Sequence, residues 1–299
     1  MILVIGSINT DLVTTTERMP AGGETVMARG FAMLPGGKGA NQAVAIARLG
    51  GKAVMVGRVG DDPFGQSAIQ NLQACDVNTD HVAISPGVAS GIATIVVEEG
   101  GENRILVVSG ANACVMPDDV PQALLSRAAL VVMQLEIPID TVTDVIARAQ
   151  APVLLNPAPA VKFDLKKLSG LAYLIPNQQE LAVLTGLRTE RMDDVVVAAR
   201  WLVRQGIGTV IVTVGGDGAM LVTRERVAHV EAPLVKTVDT TGAGDAFIGC
   251  FAQTLMETGD VDAALACAVR YASLSVTQFG AQASYVTAAN FTLVPDTAG

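Results

Sequence analysis

Charge is scarce in this 299-residue chain. Only 16% of its residues are Asp, Glu, Lys or Arg, and they sum to −9 with no basic run. A nucleic-acid partner is excluded on that ground, because a phosphate backbone demands clustered Lys and Arg. Histidine is nearly missing: His81 and His229 read as surface or internally satisfied residues. The four cysteines, Cys75, Cys114, Cys250 and Cys267, include no C-x-x-C pair. A zinc site is therefore not expected, and free thiols in a reducing cytosol are. Aromatic residues make up 4%, and the single Trp201 lies in a helical pattern that would bury it in the core. No apolar run reaches the ~18 residues that cross a bilayer. The chain opens on MILVIG without a basic leader pattern, so a soluble cytoplasmic protein is expected. What is plentiful is hydrophobic side chain, half of all residues, ample for one large core with a small appendage.

Strand and helix signals alternate along most of the chain. Short apolar runs read as strands at residues 1–5, 52–57, 129–134, 153–155, 173–175 and 209–214. Helical patterns fill 42–49, 64–75, 140–150, 178–184, 193–205, 246–256 and 261–276. This alternation predicts an α/β fold, a mostly parallel central sheet flanked by helices on both faces. Residues 219–222 and 227–230 read as a late antiparallel pair. Two hairpin signals break the pattern: 12–16 with 25–34, and 91–97 with 104–109. Both are assigned to one small β lid, discontinuous in sequence over about residues 11–36 and 88–109, on a single domain spanning 1–299.

Residues 238–247, VDTTGAGDAF, read as a strand end, a small-residue loop and a helix start. Gly242, Ala243 and Gly244 allow backbone to approach a ligand. The unpartnered N–H groups and dipole of the helix behind them make an anion site, most naturally for phosphate. Asp245 at its mouth suits a base that takes a proton from a hydroxyl attacking phosphorus. The plain alternative is an N-cap Asp on an ordinary core helix. A second glycine-rich loop, GGKGAN at 36–41, also leads into a helix. It is no Walker A loop, since Gly39 follows Lys38 and Ala32 stands where the first glycine belongs. Lys38 and Asn41 among glycines suit hydroxyl or phosphate contacts, or simply a turn. Asn9 and Asp11 follow the first strand, and Glu136 ends another, at the rim where open α/β sheets bind ligands. Asn177 and Glu180 are spaced as a capping box, or as a carboxylate orienting Mg²⁺-bound water. TVGGDG at 213–218 offers N–H groups to a nucleotide, or a hairpin turn.

Taken jointly, GGKGANQA and VDTTGAGDAF resemble the two signature regions of the ribokinase-like carbohydrate kinases. GSINTD, QLE at Glu136, LNPAPA, PNQQE, TVGGDG and SVTQFGAQASY agree, so the similarity runs to about Tyr285. The resemblance implies ATP-dependent phosphorylation of a sugar held between an α/β domain and a β lid. By position it implies that Asp245 is the catalytic base, also touching the sugar, and that Gly242, Ala243 and Gly244 form an anion hole. It implies sugar contacts from Asn9, Asp11, Gly37, Lys38, Asn41 and Glu136. Asn177, Thr213, Gly215, Gly218 and Gly244 fall on the ATP side, and Glu180 on the Mg²⁺-water network. Asp239, Thr241, Ser275, Gln278, Gly280 and Ser284 fall where the family's ribokinase branch binds a monovalent cation, K⁺. The sequence departs from the pattern at Leu34-Pro35, before the glycine pair, and at Gln278-Phe279, where basic residues are usual. The tail after Asn290 has no counterpart.

The expectation is therefore an ATP- and Mg²⁺-dependent kinase acting on the terminal hydroxyl of a pentose. Ribose is the first choice and 2-deoxyribose the close second. GAGDAFIGCFA and the region around GAQASY lean as much toward the family's deoxyribose-specific members. No aromatic residue lies among the sugar candidates to stack on a base, which favours a free sugar over a nucleoside. A homodimer joined through the lid is expected, because strand 91–97 is too apolar to lie bare. A non-catalytic sugar-binding regulator is the different-class alternative, though it would have no use for Asp245. A dinucleotide oxidoreductase lacks its G-x-G-x-x-G fingerprint.

Overall fold

In the computed structural model the described residues are 1–100, 102–162 and 164–293. The fold is built outward from β1 (Ile2–Ile5), whose four residues are all buried. Side chains alternate across a strand. Ile2 and Val4 accordingly join one hydrophobic cluster and Leu3 and Ile5 the other. A strand that is apolar on both sides must have helices over both faces. β1 pairs in parallel with β4 (Ala53–Gly60) on one side and β8 (Leu130–Met133) on the other. Beyond β4 lies β5 (Asn78–Ser85). Beyond β8 follow β9 (Val153–Leu155), β10 (Tyr173–Leu174) and β11 (Thr209–Thr213), all parallel. The antiparallel pair β12 (Ala219–Val222) and β13 (Val227–Val230) completes the nine-stranded sheet.

One face is covered by α1 (Lys38–Arg48), α2 (Pro63–Ala74), α7 (Ala243–Thr258), α8 (Val261–Ser275) and the short α9 (Ala281–Ser284). The other carries α3 (Gln122–Leu125), α4 (Ile139–Arg148), α5 (Gln178–Thr185) and α6 (Met192–Arg204). Helices α1 and α7 lie close together because Gly249 has no side chain. A Cβ there would run into the Ala45 methyl and come within 3.0 Å of the Gln42 carbonyl.

A separate four-stranded sheet has the order β3 (Gly30–Gly36), β2 (Asn9–Thr16), β6 (Gly91–Glu98), β7 (Asn103–Val108). The two hairpins expected from sequence both form, and β2 and β6 join them in parallel. The boundaries differ in instructive ways. The first strand starts at Asn9, so Asn9 and Asp11 stand within β2. The second hairpin's turn includes residue 101, which lies outside the described residues. Strand β6 is internal to the sheet and mostly covered, so it is not the bare strand. The exposed apolar residues are Ile105, Leu106, Val107 and Val108 on edge strand β7, and Phe31 and Met33 on edge strand β3.

Strand β5 was not expected, since its opening residues Asn78, Thr79 and Asp80 carry no apolar signal. Both glycine loops are shorter than expected because the helices begin inside them. Helix α1 starts at Lys38 with Gly37 as its N-cap at φ +88, and α7 starts at Ala243 with Gly242 as its N-cap at φ +75. Only glycine takes such angles without strain. Asp245 is thus not an N-cap but the third residue of α7. The tail after Asn290 is described only to residue 293, where buried Phe291 packs edge-on against Tyr271 with 5.0 Å between ring centroids.

Candidate active site

The candidate residues gather at the carboxyl ends of the parallel strands. Ser7 follows β1, Gln134 and Glu136 follow β8, Asn156 follows β9, Asn177 follows β10, and Thr213 ends β11. Side chains there face a common crevice where the strand order reverses around β1. Asn177 and Thr213 are themselves bridged in parallel, extending the sheet by one residue pair.

Helix α1 enters this crevice through glycine. A Cβ on Gly39 would meet the Gly6 and Ser7 backbone at 2.8 Å, and one on Gly36 would overlap the Asp11 carboxylate. The helix start is therefore pressed against the end of β1. Its N–H groups are satisfied locally: Ala40 donates to the Ser7 carbonyl at 2.9 Å and Lys38 N–H to Glu136 Oε2 at 3.2 Å. Ser7 Oγ also donates to Glu136, at 2.5 Å. Glu136 thus caps α1 electrostatically as well as facing the crevice.

Asp245 is 6% exposed, and each of its oxygens accepts one amide proton. Asn41 Nδ2 donates to Oδ2 and Gln42 Nε2 to Oδ1, both at 2.9 Å. Each oxygen keeps capacity for one more hydrogen bond. Gly242, at the head of α7, is boxed in by Ala281 and by Tyr285, whose hydroxyl donates to the Gly242 carbonyl at 2.9 Å. Burial first, and then the Asp245 and Tyr271 charges, push the Tyr285 hydroxyl well above its ordinary pKa, so it remains a donor.

Three cavities meet here. One of about 240 Å³ is lined by Lys38, Asn156, Asn177, Glu180, Gly244 and Asp245. It shares Asn177, Thr213, Thr240 and Gly244 with a larger one of about 600 Å³, walled by Gly215, Gly218, Leu234, Val235 and Ala272. Thr240 also borders a third, about 230 Å³, between Asp11, Val13, Leu34 and Ile95 of the small sheet and Gly280. Asp245 lines the central cavity, which adjoins the larger, nucleotide-sized space through their four shared residues.

Charge in the crevice is lopsided. Lys38 faces Asp245, Glu136, Glu180 and Asp11. Burial alone would lower its pKa, but the four carboxylates together hold it above its ordinary value. Asp11 is pushed up to about 6, by burial first and then by Glu136 and Asp245, with Lys38 opposing. Burial also raises Glu180, against the N–H of Asn177 and the charge of Lys38.

The structure separates some residues that the sequence grouped. Asn9 is buried and its Oδ1 is taken by Asn112 Nδ2 at 2.6 Å. Asn41 is likewise held from both ends, by Asp245 and by Gln282. Lys38 lines the central cavity beside Asn177 and Glu180, toward the larger space, rather than the third cavity with Asp11. Of the three anion-hole residues, Gly242 and Gly244 line the central cavity, while the Ala243 N–H is bonded to the Thr240 carbonyl at 3.2 Å. Gln42, Asn112, Asn156, Gln282 and Tyr285 carried no expected role. Gln42, Asn156, Gln282 and Tyr285 stand inside GGKGANQA, LNPAPA and SVTQFGAQASY, which was the available signal; Asn112 stands in none of them.

Of the cation candidates, Thr241 and Gly280 bond to Asp239. Its Oδ1 accepts from Thr241 N–H and hydroxyl, at 2.9 and 2.7 Å, and its Oδ2 from Gly280 N–H at 2.8 Å. Burial opposes ionisation, but these bonds hold its carboxyl below the ordinary range. Ser275 and Ser284 turn their protons to the Ala272 and Ala281 carbonyls and leave their lone pairs available. The set is all oxygen, as a hard cation requires. Gln278 is exposed on the loop between.

The chain matches the pfkB family of carbohydrate kinases over residues 1–288. It belongs to that family. It is 44% identical to a deoxyribokinase of Salmonella typhi over 290 residues, 95% of each chain. It is 41% identical to a ribokinase of Bacillus subtilis over 286 residues, 94% of each. Among solved structures, a ribokinase from Thermotoga maritima superposes with a TM-score of 0.90 at 33% identity, covering 96% of both chains. An Arabidopsis thaliana ribokinase complexed with ribose and ATP gives 0.88 at 32% identity, again over 96% of both. The α/β architecture and the enzymatic nature of the chain, a sugar kinase, stand as expected from sequence. No helix among the described residues is long and apolar enough to cross a membrane.

The Asp11 environment has a consequence for pH. Its folded pKa of about 6 lies above the ordinary 3.8. Between those values the unfolded chain ionises first, so this group's contribution to stability falls as pH rises through that window. The charged form, the better acceptor for a hydroxyl, forms only above about pH 6. The kcat/KM for sugar should therefore rise about tenfold per unit up to about pH 6 and then level. Asp11→Asn should lack this inflection. A wild-type profile flat across about pH 5 to 7 would remove Asp11 from sugar recognition.

Proposed function

We propose that this enzyme transfers the γ-phosphoryl group of ATP to the terminal hydroxyl of a pentose, ribose first and 2-deoxyribose close behind. The observation that carries the reading is Asp245, fixed at the N-terminal turn of α7 in the central cavity that adjoins the nucleotide-sized one. The names of the relatives point to the same two sugars. ATP lies in the larger cavity, with its adenine against Leu234, Val235 and Ala272, and its phosphates toward Gly215, Gly218, Thr213 and Asn177. The γ-phosphate reaches the N–H groups near Gly242 and Gly244, with Lys38 beside it as the local cation. The sugar lies toward Asp11, where its hydroxyls meet a carboxylate acceptor. Asn9, Gly37, Asn41 and Glu136 shape that pocket from behind. Asp245 accepts the proton of the attacking hydroxyl. Because phosphoryl transfer demands little covalent chemistry of the protein, positioning and charge carry the rate.

Two cations complete the reading. Among the described residues no group of three or more His, Cys, Asp and Glu side chains converges as a metal-ligand set. A divalent ion therefore binds mainly through phosphates and water, with Glu180 as an outer partner, as Mg²⁺ prefers. When bound it neutralises phosphate charge in a crevice rich in carboxylates. A K⁺ ion held around Asp239, Thr241, Ser275, Gln278, Gly280 and Ser284 would order the loop that leads into α7. The four free thiols and the use of ATP fit a cytoplasmic enzyme.

Five measurements, bearing on mechanism and substrate, on the cations and on assembly, test these statements. Asp245→Asn should lower kcat by roughly 10²–10⁴-fold, the scale of a missing general base, while sugar and ATP still bind. Assayed beside it, ribose and 2-deoxyribose should each exceed fructose and a nucleoside in kcat/KM. Full turnover by Asp245→Asn would defeat the mechanism, and a preferred hexose or nucleoside would defeat the substrate. Chelating Mg²⁺ should abolish turnover, and replacing K⁺ with Na⁺ should slow it; equal rates in the two salts would leave the Asp239 site without a function. A homodimer that covers the exposed edge residues Leu106, Val108, Phe31 and Met33 is the third expectation. Sedimentation at micromolar concentration should give twice the chain mass, and a monomer there would reject it.

A further inference from the structure

Behind Asp245 the side chains form a chain of primary amides with one direction. A carboxylate only accepts hydrogen bonds, so Asn41 and Gln42 must both present NH₂ to it. Their carbonyl oxygens then point away and need donors. Gln282 Nε2 donates to Asn41 Oδ1 at 2.9 Å, and Gln134 Nε2 donates to Gln42 Oε1 at 2.6 Å. Gln282 now turns its own oxygen outward, and Asn71 Nδ2 donates to it at 2.8 Å. The Asp245 charge, helped at Gln42 by Asn156 Oδ1, which also accepts from Gln42 Nε2 at 3.3 Å, therefore orients five amides drawn from α1, α2, α9 and the end of β8. Gln42 and Gln134 are fully buried, Gln282 is 3% exposed, and Asn41 and Asp245 are each 6% exposed. Water has little access to substitute for any of these bonds.

Gln134 shows how strongly the direction is imposed. Its Oε1 is buried without a hydrogen-bond partner, packed beside Gly6. Turning the amide over would relieve nothing, since it would set oxygen against oxygen at Gln42. A buried unpartnered carbonyl is uncommon and calls for a cause; here the cause is the acceptor at the far end of the branch.

We propose that Gln42 and Gln282, backed by Gln134 and Asn71, are positioning residues for phosphoryl transfer. They set the plane of the Asp245 carboxylate so that its remaining lone pairs face the sugar hydroxyl. This rests on the reading of Asp245 as the base. None of the four lines the central cavity, so none needs to touch sugar or nucleotide to act.

The experiment measures kcat, KM for sugar, KM for ATP and Tm for Gln42→Leu, Asn71→Leu and Asn71→Asp, with Asp245→Asn in parallel. Gln42→Leu shortens the side chain by one bond and removes the donor, leaving an apolar group of similar bulk. It should lower kcat about ten- to hundredfold, as misplacement of a reacting group does. Both KM values should stay within about twofold of wild type. Asn71 is half-buried and remote from Asp245, and it carries the test if Gln42→Leu does not fold. Asn71→Leu merely ends the branch early. Asn71→Asp puts an acceptor where a donor stood, which turns Gln282 and then Asn41 over and sets the Asn41 oxygen against Asp245. The Asp variant should therefore lose more kcat than the Leu variant. A role confined to stability predicts lowered Tm with unchanged kcat in the folded protein, and that result would overturn the proposal. So would equal kcat for Asn71→Asp and Asn71→Leu. If Asp245→Asn is inactive while these variants turn over normally, only the amide chain is rejected. If Asp245→Asn is fully active, the base assignment and the proposal fall together.

Discussion

An ionised carboxylate can accept hydrogen bonds but cannot give one, and Asp245 is held by two amides that can do either. That asymmetry orders the middle of the molecule. It sets which way Asn41 and Gln42 turn, and through them it ties α7 to α1 across 204 and 203 residues of sequence. The contact is possible because glycines bring backbones together. Gly249 lets α7 lie against α1, while Gly39 and Gly6 let α1 lie on the end of β1. A polar network inside a packed core is tolerable only when its members are satisfied. In this one a single exception, Gln134 Oε1, marks where the geometry ran out of donors.

The same crevice is poor in positive charge. Lys38 is one ammonium among Asp11, Glu136, Glu180 and Asp245. Such a site repels a bare polyphosphate unless N–H groups and a metal ion accompany it. The first turn of α7 begins at the left-handed N-cap Gly242, and Gly242, Gly244 and Asp245 of that turn line the cavity. Tyr285 holds that cap from below through its carbonyl. The Asp245 carboxylate and the backbone of Gly242 and Gly244 are thus neighbours on one helical turn.

Much of this was legible in the sequence because it is local. Continuous apolar runs gave the parallel strands, and glycine pairs marked both helix entries. The entries were placed up to four residues late, since Gly39 and Gly244 look like loop residues. In fact Gly39 is a helical residue with no room for a Cβ. Strand β5 stayed hidden behind its polar start, Asn78–Asp80, which a sheet edge tolerates. Gln42 and Gln282 were invisible as functional residues for a different reason. An amide carries no charge and shows no periodicity, and its partners lie far away in sequence. Asn112 is similar: it bonds both backbone groups of Ile8 and the side chain of Asn9 across more than 100 residues.

The two sheets divide the work. The residues lining the central cavity, from Asn177 and Glu180 to Gly242 and Asp245, are carried by the nine-stranded sheet and its helices. Of the side chains around the third cavity, Val13, Leu34 and Ile95 belong to the small sheet, and so does Asp11. The small sheet has its own minor core of Val13, Ala93 and Ile95, apart from the two large clusters. A substitution on its inner face can therefore reshape that cavity without disturbing the amides that hold Asp245. A deoxyribokinase and a ribokinase resemble this chain almost equally, at 44% and 41% identity. Asp245 sits in a crevice buried in the large core, whereas the cavity beside Asp11 is walled in part by a few side chains of a thin sheet.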